Sequence, residues 1–161
     1  MSKVESYLEK YYPYAKVAGE RFGIDPLVIL SQAALESGWG SSSLATRSNN
    51  FFGITASGKA NEFWKGKSVV GNNKYKLKFR VYNNPADGFS DFARLISSKY
   101  KAAAAAGKDY KTYAHRIAYS PYISEVNGDN REHYRKNIIS IYEDIWEVVK
   151  KKEYPSAVES A

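Results

Sequence analysis

The segment Leu27 to Leu35 constrains this chain more than any other. Leu27, Val28, Ile29, Leu30, Ala33, Ala34 and Leu35 leave almost no polar face. Asp25-Pro26 supplies a helix start ahead of it, with Asp25 as N-cap and Pro26 in the first turn. A helix that is apolar nearly all round belongs at the centre of a bundle. Glu36 closes the run, and Ser37-Gly38-Trp39-Gly40 breaks it. A carboxylic acid is thereby placed at the carboxyl end of a buried helix, beside a tryptophan.

The flanking segments supply partners for such a helix. Val4, Leu8, Tyr11, Tyr12, Ala15, Ala18 and Phe22 fall at helical spacing, and Gly23 stops them. Asn84-Pro85 opens another helix, with Phe89, Phe92, Ala93, Leu95 and Ile96 on one face. Short helices are predicted over 101–106 and 110–118. Asp129-x-x-Glu132 reads as a capping box for a last long helix, with Tyr134, Ile138, Ile141, Tyr142, Ile145, Trp146 and Val149 as its buried stripe. Between the early and late helices the pattern changes. Val69-Val70 and Tyr75 to Val81 alternate apolar with polar residues around Gly71-Asn72-Asn73, the signature of two strands and a turn. The alternation sets Lys65, Lys67, Lys74, Lys76, Lys78 and Arg80 on one cationic face. The fold class is therefore mainly α (α+β), a helical domain with a small inserted β-hairpin lobe that makes a cleft. With 161 residues and no Gly/Pro/Ser-rich linker, the chain is predicted to be a single domain over 1–150 with a polar tail over 151–161.

Several chemistries are excluded. The chain has no cysteine, so Cys nucleophiles and Cys-based metal sites are ruled out. His115 and His133 fit no metal motif, Gly66-Lys67-Ser68 lacks the upstream glycine of a phosphate loop, and no GxSxG elbow is present. No metal and no cofactor is expected. The formal charge of +7 invites an anionic partner, but no nucleic-acid recognition motif accompanies it. No run of apolar residues is long enough for membrane insertion.

Glu36 is the candidate reactive group. Desolvation and the negative pole of its helix both disfavour the carboxylate and raise its pKa. A carboxyl still protonated near neutrality is what a general acid requires to protonate a leaving alkoxide.

The residues around Glu36 form an ordered set. Gln32-Ala-Ala-Leu-Glu36-Ser-Gly-Trp39-Gly40 is followed by Asn49-Asn50-Phe-Phe-Gly53-Ile, Trp64-Lys-Gly66, Phe79-Arg-Val-Tyr82, Ala118-Tyr119 and Tyr134. Over about residues 10–148 it resembles glycoside hydrolase family 73, the glucosaminidases of autolysins, flagellar rod-cap hydrolases and phage lysins. The resemblance implies a lysozyme-like fold and cleavage of the β-1,4 bond between N-acetylglucosamine and N-acetylmuramic acid in peptidoglycan. It makes Glu36 the general acid, assigns Asn50 and Phe51 to the cleft floor, and makes Tyr119 a catalytic-subsite tyrosine, a role that Tyr122 can also take. Trp39, Trp64, Tyr75, Tyr82, Tyr119 and Tyr122 are candidates for glycan contact, or else fill the core or a lobe interface.

Many members of that family carry a second Glu in the hairpin. Here Val70-Gly-Asn-Asn-Lys-Tyr75 contains no acid, and Glu62 is the nearest carboxylate, with Asp87 and Glu125 as more distant alternatives. A single acid suffices for attack by the substrate's own 2-acetamido group, the favoured route, or for the intramolecular attack of a lytic transglycosylase. A non-catalytic wall-binding module that has lost its second acid is the remaining alternative. The expected partner is the peptidoglycan glycan strand, met by a monomer. The opening twenty residues lack a signal peptide's apolar core, so synthesis in the cytoplasm is expected, with release to the wall by a holin or a specialised secretion route. That is the situation of a phage endolysin or a secreted bacteriolytic effector.

Overall fold

The computed structural model describes residues 1–72, 74–124 and 128–152, with the side chains of 128 and 129 left aside. Asn73, Glu125 and the tail beyond Lys152 therefore lie outside the described residues, as does the side chain of the expected cap Asp129. Among the described residues, seven helices and one two-stranded sheet follow in chain order: α1 (Lys3–Phe22), α2 (Pro26–Ser37), α3 (Ser43–Ser48), β1 (Ser68–Val70), β2 (Lys78–Arg80), α4 (Pro85–Lys99), α5 (Lys101–Ala104), α6 (Tyr110–Ala118) and α7 (Gly128–Lys152). Among these residues no helix is long and apolar enough to cross a membrane.

The centre of the bundle is α2. Leu27 to Leu30 and Ala33 are at most 3 % exposed, and the helix is covered by α1 on one side and α7 on another. Its caps match the sequence. The Asp25 carboxylate accepts from the Leu27 amide at 2.9 Å, and Gly38 closes the helix in the left-handed conformation at φ 57°. Asp25 is itself buried, and its second oxygen accepts from the Tyr142 hydroxyl at 2.7 Å, tying the start of α2 to α7. α1 begins with a capping box of Ser2 and Glu5 and ends at left-handed Gly23. A Cβ on Gly88 would lie 2.2 Å from the Asn49 carbonyl oxygen, so glycine is what allows α4 to press against the loop after α3.

The β lobe departs from the alternating pattern. The ladder covers only Ser68–Val70 against Lys78–Arg80, and Tyr75 and Leu77 stand exposed beyond it. The expected cationic face is broken at Arg80, whose side chain turns inward and is 7 % exposed. A buried carboxylate, Asp91 on α4, lies beneath it at 2.7 Å and outweighs the apolar side chains for that inward position. Trp146 is the other correction. It is 38 % exposed, because Ile138, Tyr142, Ile145 and Val149 already complete the inner stripe of α7 and position 146 lies one step around the helix. The six-residue helix α3 is absent from the sequence reading, since a segment that short carries no periodicity.

Candidate active site

Glu36 is the penultimate residue of α2. It opens onto a cavity of about 710 Å³ whose walls come from most of the loop between Phe52 and Asn61, from Arg80, from Arg94, Leu95, Lys99 and Tyr100, and from Pro121, Tyr122 and Ser124. Among the described residues lining this cavity, Glu36 is the only carboxylate. Its side chain is exposed on the cleft side, while protein is packed behind and beside it. That crowding raises the Glu36 pKa from 4.5 to about 7, and a hydrogen bond from Tyr134 opposes the rise.

A chain of buried polar groups fixes that hydrogen bond. The Tyr113 hydroxyl, on α6, donates to Gln32 Oε1 on α2. Gln32 Nε2 donates to the Tyr134 hydroxyl oxygen at 3.0 Å, and Tyr134 donates to Glu36 Oε2 at 3.2 Å. Gln32 is wholly buried, so both ends of its amide need partners. Once its carbonyl is taken by Tyr113, its NH₂ faces Tyr134 and leaves the Tyr134 proton to point outward at Glu36. Three helices thus set one oxygen of an acid that lines the cavity. Sequence reasoning placed Tyr134 in the helix stripe and Gln32 in the motif before Glu36. It missed their direct link, because no pattern reports a contact between residues 102 positions apart.

The cleft wall is held by a second network. Asp91 is fully buried and accepts from Arg80 Nη1 at 2.7 Å, Tyr82 Oη, Arg94 Nε at 2.8 Å and Asn61 Nδ2 at 3.0 Å. Burial works against its charge, but the bonds from Tyr82 and Arg94 and the two cations outweigh it and hold the carboxyl below its usual range. Arg80 continues into the wall, donating to the Ser57 and Thr55 carbonyls, and its guanidinium lies 4.0 Å from the centre of the Trp64 ring. Asn61 Oδ1 accepts from the Phe63 and Trp64 amides.

The structure sorts the sequence candidates. Glu36 and Tyr122 line the cavity together. Burial first, and then the charges of Tyr134 and Glu36, push the Tyr122 hydroxyl pKa well up. Asn50 is buried and staples the loop, with Nδ2 donating to the Ile54 and Arg80 carbonyls and Oδ1 accepting from the Phe52 and Ile54 amides. Phe51, Trp64 and Tyr82 are also buried, leaving no ring face for a sugar. Phe51 packs on Tyr11 and Phe89, Trp64 donates to the Lys67 carbonyl, and Tyr82 bonds Asp91. Trp39 is half-buried against Tyr7, with Lys3 over its ring. Tyr119 is exposed at the end of α6, stacked on His115, with its hydroxyl donating to Glu132 at 2.8 Å. Neither Trp39 nor Tyr119 lines the cavity. Glu62 is also outside it, gripped at both oxygens by Arg21 at 2.6 and 2.7 Å, which holds its carboxyl below the usual range. Asp87 is engaged in the first turn of α4, where its amide and carboxylate meet Asn84.

A family model described as mannosyl-glycoprotein endo-beta-N-acetylglucosaminidase matches residues 12–147. The peptidoglycan hydrolase FlgJ of Vibrio parahaemolyticus is 32% identical over 133 residues, 72% of this chain and 42% of the relative. The exo-glucosaminidase LytG of Bacillus subtilis is 30% identical over 129 residues, 74% of this chain and 45% of the relative. The chain thus spans less than half the length of either relative. The glycoside hydrolase domain of Salmonella typhimurium FlgJ superposes with a TM-score of 0.73 at 25% identity, covering 95% of this chain and 94% of that one. The helical body with its small β lobe is the lysozyme-like architecture of that domain.

Proposed function

This chain belongs to the glucosaminidase family, and from that membership we infer that it cleaves peptidoglycan at the bond after N-acetylglucosamine, with Glu36 as general acid and then base. The observation that carries the assignment is the carboxyl of Glu36, raised to about 7 by burial and standing on the cavity with one oxygen held by Tyr134.

The chemistry follows from that geometry. Tyr134 occupies Oε2, so the acid proton sits on Oε1, toward the glycan. As the glycosidic bond breaks, that proton passes to the leaving oxygen, and positive charge develops at the anomeric carbon. Glu36 is the only carboxylate among the described residues that line the cavity, which favours the substrate's 2-acetamido oxygen as the nucleophile, forming a cyclic oxazolinium. Glu36, now ionised, takes a proton from water as that water attacks the anomeric carbon and reopens the ring. The proton is thereby restored to Glu36, and the sugar leaves with a free reducing end. Tyr122 is the cavity side chain assigned to support the acetamido group, while Tyr119, engaged by Glu132, is assigned no step.

The same single acid also suits intramolecular attack by a sugar hydroxyl, which yields an anhydro end instead. A clearing assay on purified sacculi tests whether Glu36 carries catalysis. The parent chain is expected to clear the suspension and Glu36→Gln to leave it turbid. Equal clearing by both, or by neither, counts against an enzyme built on Glu36.

A further inference from the structure

The cavity carries more positive charge than glycosidic chemistry demands. Lys59, Arg80, Arg94 and Lys99 all line it. Arg80 and Arg94 share one carboxylate, the buried Asp91, so that trio alone keeps a net positive charge. No ion pair involves Lys59 or Lys99 among the described residues, and both side chains are exposed. While Glu36 is protonated, the surplus over Asp91 is three positive charges along one concave surface. Such a surface concentrates anions, because the low-dielectric walls focus the field into the cleft.

The four cations line the same cavity as Glu36. A polymer of neutral N-acetylated sugars offers them nothing to pair with. A glycan strand bearing a carboxylate on alternate sugars does.

We propose that Lys59 and Lys99, backed by Arg80 and Arg94, form a carboxylate-recognising subsite that selects strands with an acidic substituent on a sugar flanking the cleaved bond. This rests on the glucosaminidase reading of the site and adds its substrate preference. The carboxylate has two sources on a peptidoglycan strand, the lactyl group itself when no peptide is attached, and the acidic residues of an attached stem peptide.

Binding separates this proposal from the cleavage reading. Calorimetry with the Glu36→Gln chain compares three oligosaccharides of equal length: a neutral N-acetylglucosamine oligomer, a peptide-free strand with lactyl carboxylates, and a peptide-bearing strand. At low salt, one of the carboxylate-bearing strands is expected to bind at least tenfold more tightly than the neutral oligomer, with the preference shrinking as salt is added. The tighter of the two identifies the source of the carboxylate. Lys59→Ala with Lys99→Ala is expected to reduce that preference ratio by about tenfold. Equal affinity for neutral and acidic strands, or a preference that survives loss of both lysines, overturns the proposal. Failure of the parent chain to cut any strand would instead count against the cleavage reading and leave the binding ratios standing.

Discussion

The Tyr134 hydroxyl on α7 donates to Glu36 Oε2 on α2 across 3.2 Å, joining residues 98 positions apart in the chain. Gln32, held by Tyr113, keeps that hydroxyl pointed at the acid. Tyr134 thus does two opposed things. It positions the carboxyl, and by bonding the ionised form it limits the pKa rise that burial imposes.

Removing the hydroxyl separates those roles. Tyr134→Phe is expected to lower turnover by about tenfold, through a misplaced acid, and to move the alkaline limb of the rate profile to higher pH. A pH–rate profile of the variant beside the parent checks both. A shift to lower pH would contradict the account.

The pH dependence of the parent chain follows from the same group. In the proposed role of general acid Glu36 works protonated, so activity is expected to fall as pH rises through about 7. Stability has the same sign, because the folded-state pKa lies above the ordinary 4.5 and the fold binds this proton more tightly than the unfolded chain. Its contribution is complete below about 4.5 and is lost as pH rises through about 7. Glu36→Gln abolishes that loss, so the melting temperature of the variant relative to the parent is expected to climb between about pH 5 and about pH 8.

Asp91 anchors the cleft wall to α4. Asp91→Ala strands Arg80 beneath the wall and removes partners from Tyr82, Asn61 and Arg94. A loss of about 3–5 kcal/mol is expected, the cost of breaking a buried pair at one end. Urea unfolding measures it, and a change below about 1 kcal/mol would mean that the network holds nothing in place.

Glu62 provides the opposite expectation. It is engaged by Arg21 on the exterior and absent from the cavity lining. Glu62→Ala is expected to keep turnover within about twofold of the parent, because a mechanism with a two-carboxylate pair would lose orders of magnitude on removal of its second member. Initial rates on sacculi decide it.

Much of this organisation is legible in the sequence, and the reasons differ by residue. The central position of α2 follows from its composition, since seven apolar side chains around one helix admit no solvent face. Its boundaries follow from Asp25-Pro26 and Gly38, where capping chemistry is local. Glu36 is legible for the same reason, as the acid that ends an apolar helix. Arg80 is not, because alternation assigns it to solvent and only the distant Asp91 reverses that. The roles of Phe51, Trp64 and Tyr82 are hidden likewise. An aromatic beside a cleft has the same sequence signature whether it faces sugar or packs beneath the wall, and here burial decides for packing. The bond between Tyr113 and Gln32 escapes notice because a hydrogen bond between helices leaves no periodic trace.

The most direct measurement is digestion of purified peptidoglycan by the parent chain and by Glu36→Gln, with the new chain ends identified by mass spectrometry. Reducing N-acetylglucosamine ends are expected from the parent and none from Glu36→Gln. Anhydro-muramic ends from the parent, or reducing ends released equally by Glu36→Gln, would contradict hydrolysis through Glu36.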